Sequence, residues 1–382
     1  MWTSTGKASI PSPSSSAVAK AMTVGSVVRR SSFMAESRIA APPAAAKSGA
    51  APSEAAAGPQ ERLGRLLAPE MAAVSALIRE RMASRSAPRI PEVTAHLVEA
   101  GGKRLRPLLT LAAARLCGYE GGDHLRLAAT VEFIHTATLL HDDVVDESQQ
   151  RRGRPTANLL WDNQSSVLVG DYLFARAFEL MVETGSLRVL GILSRASATI
   201  AEGEVLQLTA ARDLKTSEAV YLEVVRGKTA ALFAAACEAG AVIAGAPDET
   251  VEALRVYGDA LGVAFQIADD LLDYAGEPGR TGKDVGDDFR EGKLTLPLIK
   301  AVARADDEER AFFARVVERG RQEAGDLERA QAILRRHGAL EATRADALAW
   351  AGRAREALAP LPQGAVGEAL RDLADDVVSR VR

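Results

Sequence analysis

From about Arg62 to the C-terminus, apolar residues recur at three- and four-residue spacing almost without interruption, in stretches mostly 15 to 28 residues long. That period marks helices that bury one face or more. Alternating runs rich in Val, Ile and Thr, the mark of half-buried strands, do not appear. Breakers separate the stretches: Pro88 and Pro91, Gly101-Gly102, Gly118 with Gly121-Gly122, Gly153 to Pro155, Gly185, Pro247, Gly276 to Gly282, Pro297, and Pro360 with Pro362. The pattern predicts a single all-α domain over residues 61–382, built from ten or more helices. One stretch, Thr229 to Ala246, is apolar enough to raise a membrane span. It is mostly Ala and Gly with Glu238 in its middle, so a buried core helix is expected, and no transmembrane segment.

Residues 1–60 break the pattern, being rich in Ser, Ala, Pro and Gly and holding six of the sixteen prolines. Lys7, Lys20, Arg29 and Arg30 precede the first acidic residue, Glu36. Two readings stay open: an acid-poor transit peptide, or a disordered extension translated from an upstream start, with Met22 or Met34 as the true beginning.

The whole chain of 382 residues is 47% hydrophobic and 26% charged, with 47 Lys+Arg against 51 Asp+Glu and a net charge of -4. That balance excludes a general basic surface for nucleic acid, so phosphate recognition must be local. Cys117 and Cys237 stand alone without metal-type spacing, which fits a reducing compartment. A cytoplasmic location is expected, with an organelle as the alternative if the extension is a transit peptide.

Against this background one run stands out, His141-Asp142-Asp143-Val144-Val145-Asp146. On a helix Asp146 lies only about 40° around from Asp142, one turn on, and Asp143 flanks them. Carboxylates so crowded repel one another and call for a counter-charge. An all-oxygen set without Cys or clustered His favours Mg²⁺ over zinc. Alone, such a patch also reads as the solvated end of a helix. About 120 residues on, however, Asp269, Asp270 and Asp273 repeat the spacing after another apolar segment, with Gln266 one turn earlier on the same side. Two such patches predict a cavity whose acidic walls face each other around Mg²⁺ ions, with a diphosphate held between.

Cations accompany the acids. Lys103, Arg104 and Arg106 follow Gly101-Gly102 and precede Pro107, a good anion site at the start of a helix. His135 lies two turns before Asp142, about 20° off its direction, with Thr138 between. Arg151-Arg152-Gly153 puts two cations on a turn that could reach back over the acidic patch. Gly227-Lys228-Thr229 opens the long Ala-rich helix and matches a phosphate loop only faintly, lacking the earlier glycine and the preceding strand. The segment from Arg280 to Lys293 is highly charged and glycine-rich; it reads as a solvated loop, or as a mobile lid that brings Lys283 down on a phosphate.

Taken together, both triads, GGKRLRP, RRG, GKT and FQIADD give a chain that closely resembles the trans-polyprenyl diphosphate synthases over roughly residues 60–382. The resemblance implies the isoprenoid synthase fold around a central cavity, a homodimer, and three Mg²⁺ ions bridging the two triads and an allylic diphosphate. Asp142, Asp143 and Asp146 would hold metal on one side and Asp269, with Asp270 and Asp273 nearby, on the other. Arg151, Lys228 and Lys283 would contact the allylic diphosphate; Lys103, Arg106, His135 and Arg152 would hold isopentenyl diphosphate. Thr229 and Gln266 would line the reacting carbons. The small residues Ala137 and Thr138, five and four positions before Asp142, imply a long product, where bulky aromatics stop growth early in this family. Phe174, Phe178 and Met181 are candidates for the tunnel floor, although large residues at helical spacing also read as plain core. The wording of GDYLFARAFELM and IAEGEVLQLTAA resembles long-chain members that make quinone tails of eight to ten units, decaprenyl being favoured for the ubiquinone side chain and octaprenyl or geranylgeranyl the alternatives. A surface patch touching membrane for product release is compatible with this. Two rivals, a non-catalytic partner subunit and a class I terpene cyclase, are disfavoured by the two intact triads and by the Lys103/Arg106/His135 site.

Overall fold

Side-chain caps and glycine stops cut the apolar pattern into helices at the places the sequence signals. Ser186 and Ser217 accept the Val189 and Val220 N–H groups, both at 3.3 Å, and so begin two helices. The computed structural model describes residues 58–99, 102–275 and 285–380. Lys283, Gly101, the glycines from Gly276 to Gly282 and all but the last three residues of the N-terminal extension lie outside the described residues.

The body includes the helices α1 (Leu105–Leu116), α2 (Asp123–Val145), α3 (Asn163–Glu183), α4 (Leu187–Ala210), α5 (Ala231–Ile243), α6 (Asp248–Ala275), α7 (Ala339–Ala357) and α8 (Ala365–Ser379). α2 packs along α3, α6 packs on α5 and α7, and α5 sits among α1, α4 and α6. The expected all-α architecture is what the described residues show, with one exception. A two-stranded antiparallel hairpin, β1 (Gln150–Arg151) and β2 (Arg154–Pro155), follows α2. It is too short to leave an alternating pattern in the sequence.

The Ala- and Gly-rich stretch from Thr229 is a core helix, as expected. A Cβ on Gly240 would lie 2.5 Å from the Thr110 carbonyl of α1, and one on Gly258 would lie 2.5 Å from the Phe233 carbonyl of α5. Only glycine permits backbones to approach so closely. Glu238, at the midpoint, is half-buried, and burial raises its pKa. Among the described residues no helix is long and apolar enough to cross a membrane.

The start of this helix differs from the expectation. Gly227-Lys228-Thr229 does not open it; Arg226–Ala230 is a π turn that joins the Glu218–Val225 helix to α5. The extra residue per turn widens the helix there. Two apolar clusters meet along α6, which gives Tyr257 and Leu261 to one and Ile267, Leu271 and Tyr274 to the other. Tyr257 also donates to the Leu370 carbonyl at 2.9 Å, tying α6 to α8.

Two glycines with opposite surroundings test this packing. Gly258→Ala is expected to cost about 1–3 kcal/mol of stability, because the neighbouring backbone must shift. Gly64→Ala, whose Cβ would meet nothing within 4 Å, should be neutral or stabilising by about 0.5–1 kcal/mol. Urea unfolding followed by circular dichroism reads both.

Candidate active site: two acidic walls and a cation pocket

A cavity of about 1360 Å³ opens between the last turns of α2 and α6. Asp142 and Asp146 line it from α2; Asp269, Asp270 and Asp273 line it from α6. The two triads therefore face each other, as their repetition predicts. Asp143 does not line the cavity. It is fully buried, and one of its oxygens accepts from Arg151 Nε at 2.9 Å and Nη2 at 2.8 Å. Its other oxygen has no hydrogen-bond partner. Burial raises the Asp142 carboxyl to about 7; Lys228 acts against the shift, while Glu204 and Asp146 add to it.

The hairpin delivers the two arginines in opposite directions. Its loop is Arg152-Gly153, with φ of +55° and +73°, the two left-handed positions of a type I′ turn. His96 Nε2 lies 2.9 Å from the Pro155 carbonyl and Thr156 Oγ1 donates to the Ser148 carbonyl at 2.7 Å, so the hairpin is pinned at its base. Arg151 turns inward to Asp143. Arg152 lies over Gly102, where a Cβ would come within 2.6 Å of its guanidinium. This contact gives the Gly101-Gly102 motif a physical reason at Gly102: a side chain there would expel Arg152.

Lys103, Arg106, His135 and Arg152 line one part of the cavity. Arg106 Nη1 is 3.2 Å from His135 Nε2, and its guanidinium stacks 4.6 Å above the Phe233 ring. Burial pushes Arg106 down to about 10 and, with Arg106, Arg152 and Arg151 nearby, holds His135 well below its usual range. His135 is thus neutral near pH 7 and its Nε2 accepts from Arg106. Glu132 balances the cluster from within; burial raises its pKa while Arg104, Arg106 and Arg152 oppose that.

On the α6 wall a chain of hydrogen bonds orders the side chains. Thr229 Oγ1 donates to Gln266 Oε1 at 2.8 Å, and Gln266 Nε2 donates to Asp270 at 2.7 Å. Tyr221 donates to the other Asp270 oxygen at 2.6 Å. Burial nevertheless raises Asp270 to about 7, those two donors acting against it. Asp273 accepts the backbone N–H groups of Asp287 and Asp288, each at 3.1 Å. Asp269 points to Arg380 of the C-terminal helix end, 3.8 Å away.

Lys228, from the π turn, enters between the walls, 2.8 Å from Glu204 and 3.9 Å from Asp142. Lys293 comes from the far side, 3.4 Å from Asp146 and in contact with Glu291. Burial works to lower its pKa, but Asp146 and Glu291 outweigh burial and hold it above its ordinary value. Lys283 lies outside the described residues. Thr138 lines the cavity; Ala137, expected beside it, is fully buried and does not line it, because its side of α2 faces the core. Phe174 is half-buried against His141, Phe178 is exposed and Met181 is buried in the core, and none of the three lines the cavity.

Sequence reasoning missed Glu132, Glu204, Tyr221, Lys293 and Arg380. Lys293 was visible as the end of the charged segment, and Glu204 sits in the run IAEGEVLQLTAA. Tyr221 and Arg380 carry no local signal; only packing brings them to the cavity.

The donor set suits a hard divalent cation. Every candidate ligand is a carboxylate oxygen, and a buried oxygen of Asp143 stands without a hydrogen-bond partner. Among the described residues no three His, Cys, Asp or Glu side chains already form a closed cluster. A cation held here would take the rest of its coordination from phosphate oxygens or water, the usual habit of Mg²⁺.

Comparison with known proteins gives this geometry its context. The sequence pattern of the polyprenyl synthetase family matches residues 87–334. A decaprenyl diphosphate synthase from Rhodobacter capsulatus has a crystal structure that superposes with a TM-score of 0.83 at 69% identity, covering 85% of this chain and 99% of that one. A polyprenyl synthase from Caulobacter crescentus CB15, solved with calcium and isoprenyl diphosphate, superposes at 0.82 with 56% identity and the same coverage. The octaprenyl diphosphate synthase of Escherichia coli (strain K12) is 45% identical over 322 residues, 84% of this chain and 99% of its own length. On fold, motif order and identity alike, the chain belongs to the polyprenyl synthetase family.

Proposed function

We propose that this protein is an all-trans, long-chain polyprenyl diphosphate synthase. As a prenyltransferase it joins isopentenyl diphosphate to an allylic diphosphate, farnesyl or geranylgeranyl, and repeats the step to a C40–C50 product. One observation carries the reading: a single cavity holds two differently built anion sites. One lies between facing carboxylates and needs a divalent cation to accept a diphosphate; the other, Lys103/Arg106/His135/Arg152, is cationic by itself. We assign the activity to residues 61–382, which contain every residue of both sites.

Asp142 and Asp146, with Asp143 behind them, and Asp269, with Asp270 and Asp273 beside it, would hold Mg²⁺. When bound, Mg²⁺ neutralises the charge that grows on the departing diphosphate and so eases cleavage of the allylic carbon–oxygen bond. Arg151, Lys228, Lys283 and Lys293 take up the same diphosphate oxygens. Lys103, Arg106, His135 and Arg152 hold isopentenyl diphosphate so that its double bond meets the allylic carbon. The new carbon–carbon bond replaces the broken carbon–oxygen bond, the diphosphate departs, and a proton from the isopentenyl unit passes to it. Thr229 and Gln266, locked together at 2.8 Å, turn their dipoles toward the positive charge on the allylic fragment. No side-chain nucleophile enters the scheme.

Product length follows from what the growing tail meets beside α2. Thr138, which lines the cavity there, offers little bulk, and each methylene buried contributes roughly 0.8 kcal/mol to retaining the tail. The similar proteins bear names of different lengths, decaprenyl and octaprenyl. We favour decaprenyl, for the side chain of ubiquinone. We further propose a homodimer, supported by the exposed apolar side chains along α3 and the start of α4: Leu168 at 66%, Val182 at 65% and Leu187 at 83% exposure.

Purified protein given farnesyl diphosphate, labelled isopentenyl diphosphate and Mg²⁺ should yield, after dephosphorylation and chromatography, products of eight to ten units. Products ending at three or four units would overturn the long-chain reading. Arg152→Gln should raise the KM for isopentenyl diphosphate by about 10- to 100-fold, the worth of a hydrogen bond to a charged group, and leave the allylic KM nearly unchanged. Leu168→Glu combined with Val182→Glu should convert a dimer to a monomer in sedimentation velocity; an unchanged dimer would place the interface elsewhere.

A further inference from the structure

Glu204 lines this cavity beside Lys228 and belongs to neither triad, and its place is set by backbone contact. α4 meets the π turn at Gly203 and Gly227. A Cβ on Gly203 would lie 2.7 Å from the Lys228 backbone nitrogen, and one on Gly227 would lie 2.8 Å from the Gly203 Cα and 3.1 Å from the Thr199 carbonyl. Helices carrying any side chain at these two positions could not come so near. The contact seats Glu204, the next residue along α4, opposite Lys228, the next residue along the π turn. From this turn Lys228 lines the cavity.

The Lys228 ammonium thereby has two carboxylates in reach and takes one of them. It is hydrogen-bonded to Glu204 at 2.8 Å and stands 3.9 Å from Asp142. The second Glu204 oxygen is buried and has no hydrogen-bond partner, so in the protein as it stands Lys228 is the one group that Glu204 binds among the hydrogen bonds described. Were Glu204 uncharged, the nearest carboxylate left to the ammonium would be Asp142. An ammonium seated on Asp142 would neutralise it and fill the lone pairs that a cation requires.

We propose that Glu204 is a positioning residue that acts through Lys228: it holds the ammonium off Asp142 and so keeps that carboxylate open to a divalent cation. The proposal rests on the reading of Asp142 as a metal-holding residue. Lys228 remains free to transfer from Glu204 to an arriving diphosphate, because it gives up one hydrogen bond and gains another of the same charge-assisted kind.

Binding of Mn²⁺ alone to the full chain, read from the EPR signal of the free ion, tests the two readings separately. Asp142→Asn must weaken Mn²⁺ binding; if it does not, the metal reading of the α2 wall fails, and with it this proposal. With that established, Glu204→Gln should weaken Mn²⁺ binding about tenfold, and the same change made in a Lys228→Met background should have no further effect. The metal concentration for half-maximal turnover should rise by the same factor in Glu204→Gln. Glu204→Asp, which keeps the charge, should recover most of the affinity. Equal weakening in both backgrounds would mean that Glu204 acts on the ion directly and would overturn the proposal, as would no weakening at all. If circular dichroism shows Glu204→Gln to be unfolded, Glu204→Leu measured with and without Lys228 carries the same comparison.

Discussion

Carboxylates facing one another inside a protein are held only where something compensates their charge, and that constraint shapes the whole cavity. At 4 Å two unit charges near a protein surface interact by about 4 kcal/mol, enough to drive one carboxyl neutral if it lacks a partner. This protein supplies cations from separate parts of the chain. Asp142 has Lys228 at 3.9 Å, Asp143 has Arg151 at 2.8 Å, Asp146 has Lys293 at 3.4 Å and Asp269 has Arg380 at 3.8 Å. Those partners come from the π turn, the hairpin, the turn after Asp287–Glu291 and the C-terminal helix end. Charge balance and tertiary assembly are thus one problem. The elements that carry no apolar burden, such as the hairpin, are positioned by the same pairs.

The pairs are also exchangeable. A divalent cation competes with the lysines and arginines for the carboxylates, and a diphosphate competes with the carboxylates for the cations. A metal–diphosphate complex satisfies both sets at once, whereas either component alone leaves one set unpaired. On the function proposed above the cavity accepts the two together, in keeping with an α6 wall whose Asp270 and Asp273 are already held by protein donors at 2.6 to 3.1 Å. Rigid placement of those two leaves Asp269 as the carboxylate of that triad directed toward a cation.

Small residues make the geometry possible. Gly203 against Gly227, Gly240 against Thr110 and Gly258 against Phe233 let four helices approach at backbone distance. A helix rich in Ala and Gly is a poor source of apolar area, so the surrounding Leu, Phe and Tyr side chains of α1, α2 and α6 must supply the burial that holds it.

Helix class and the two acidic patches at helix ends were legible in the sequence, because each depends on spacing within one helix; the grouping of Lys103, Arg106, His135 and Arg152, which come from three segments, was implied only by the family resemblance. The family resemblance carried the roles of these residues and extended to the neighbouring proteins. What the sequence concealed depends on contacts between distant segments. Asp142 and Asp143 are adjacent in the chain, yet one faces the cavity and the other is buried under Arg151, a difference of rotation that only the packing of α2 against its neighbours decides. Gly227-Lys228-Thr229 looks like the start of a helix because its glycine is a breaker, yet it sits inside a π turn, since Gly203 on α4 needed that glycine to make contact. Glu204, Tyr221 and Arg380 have no motif at all. Periodicity and charge spacing, which are local, determined the fold class and the chemistry of the site. The pairing of each charge, which is set by the close approach of helices far apart in the chain, was decided by the tertiary structure alone.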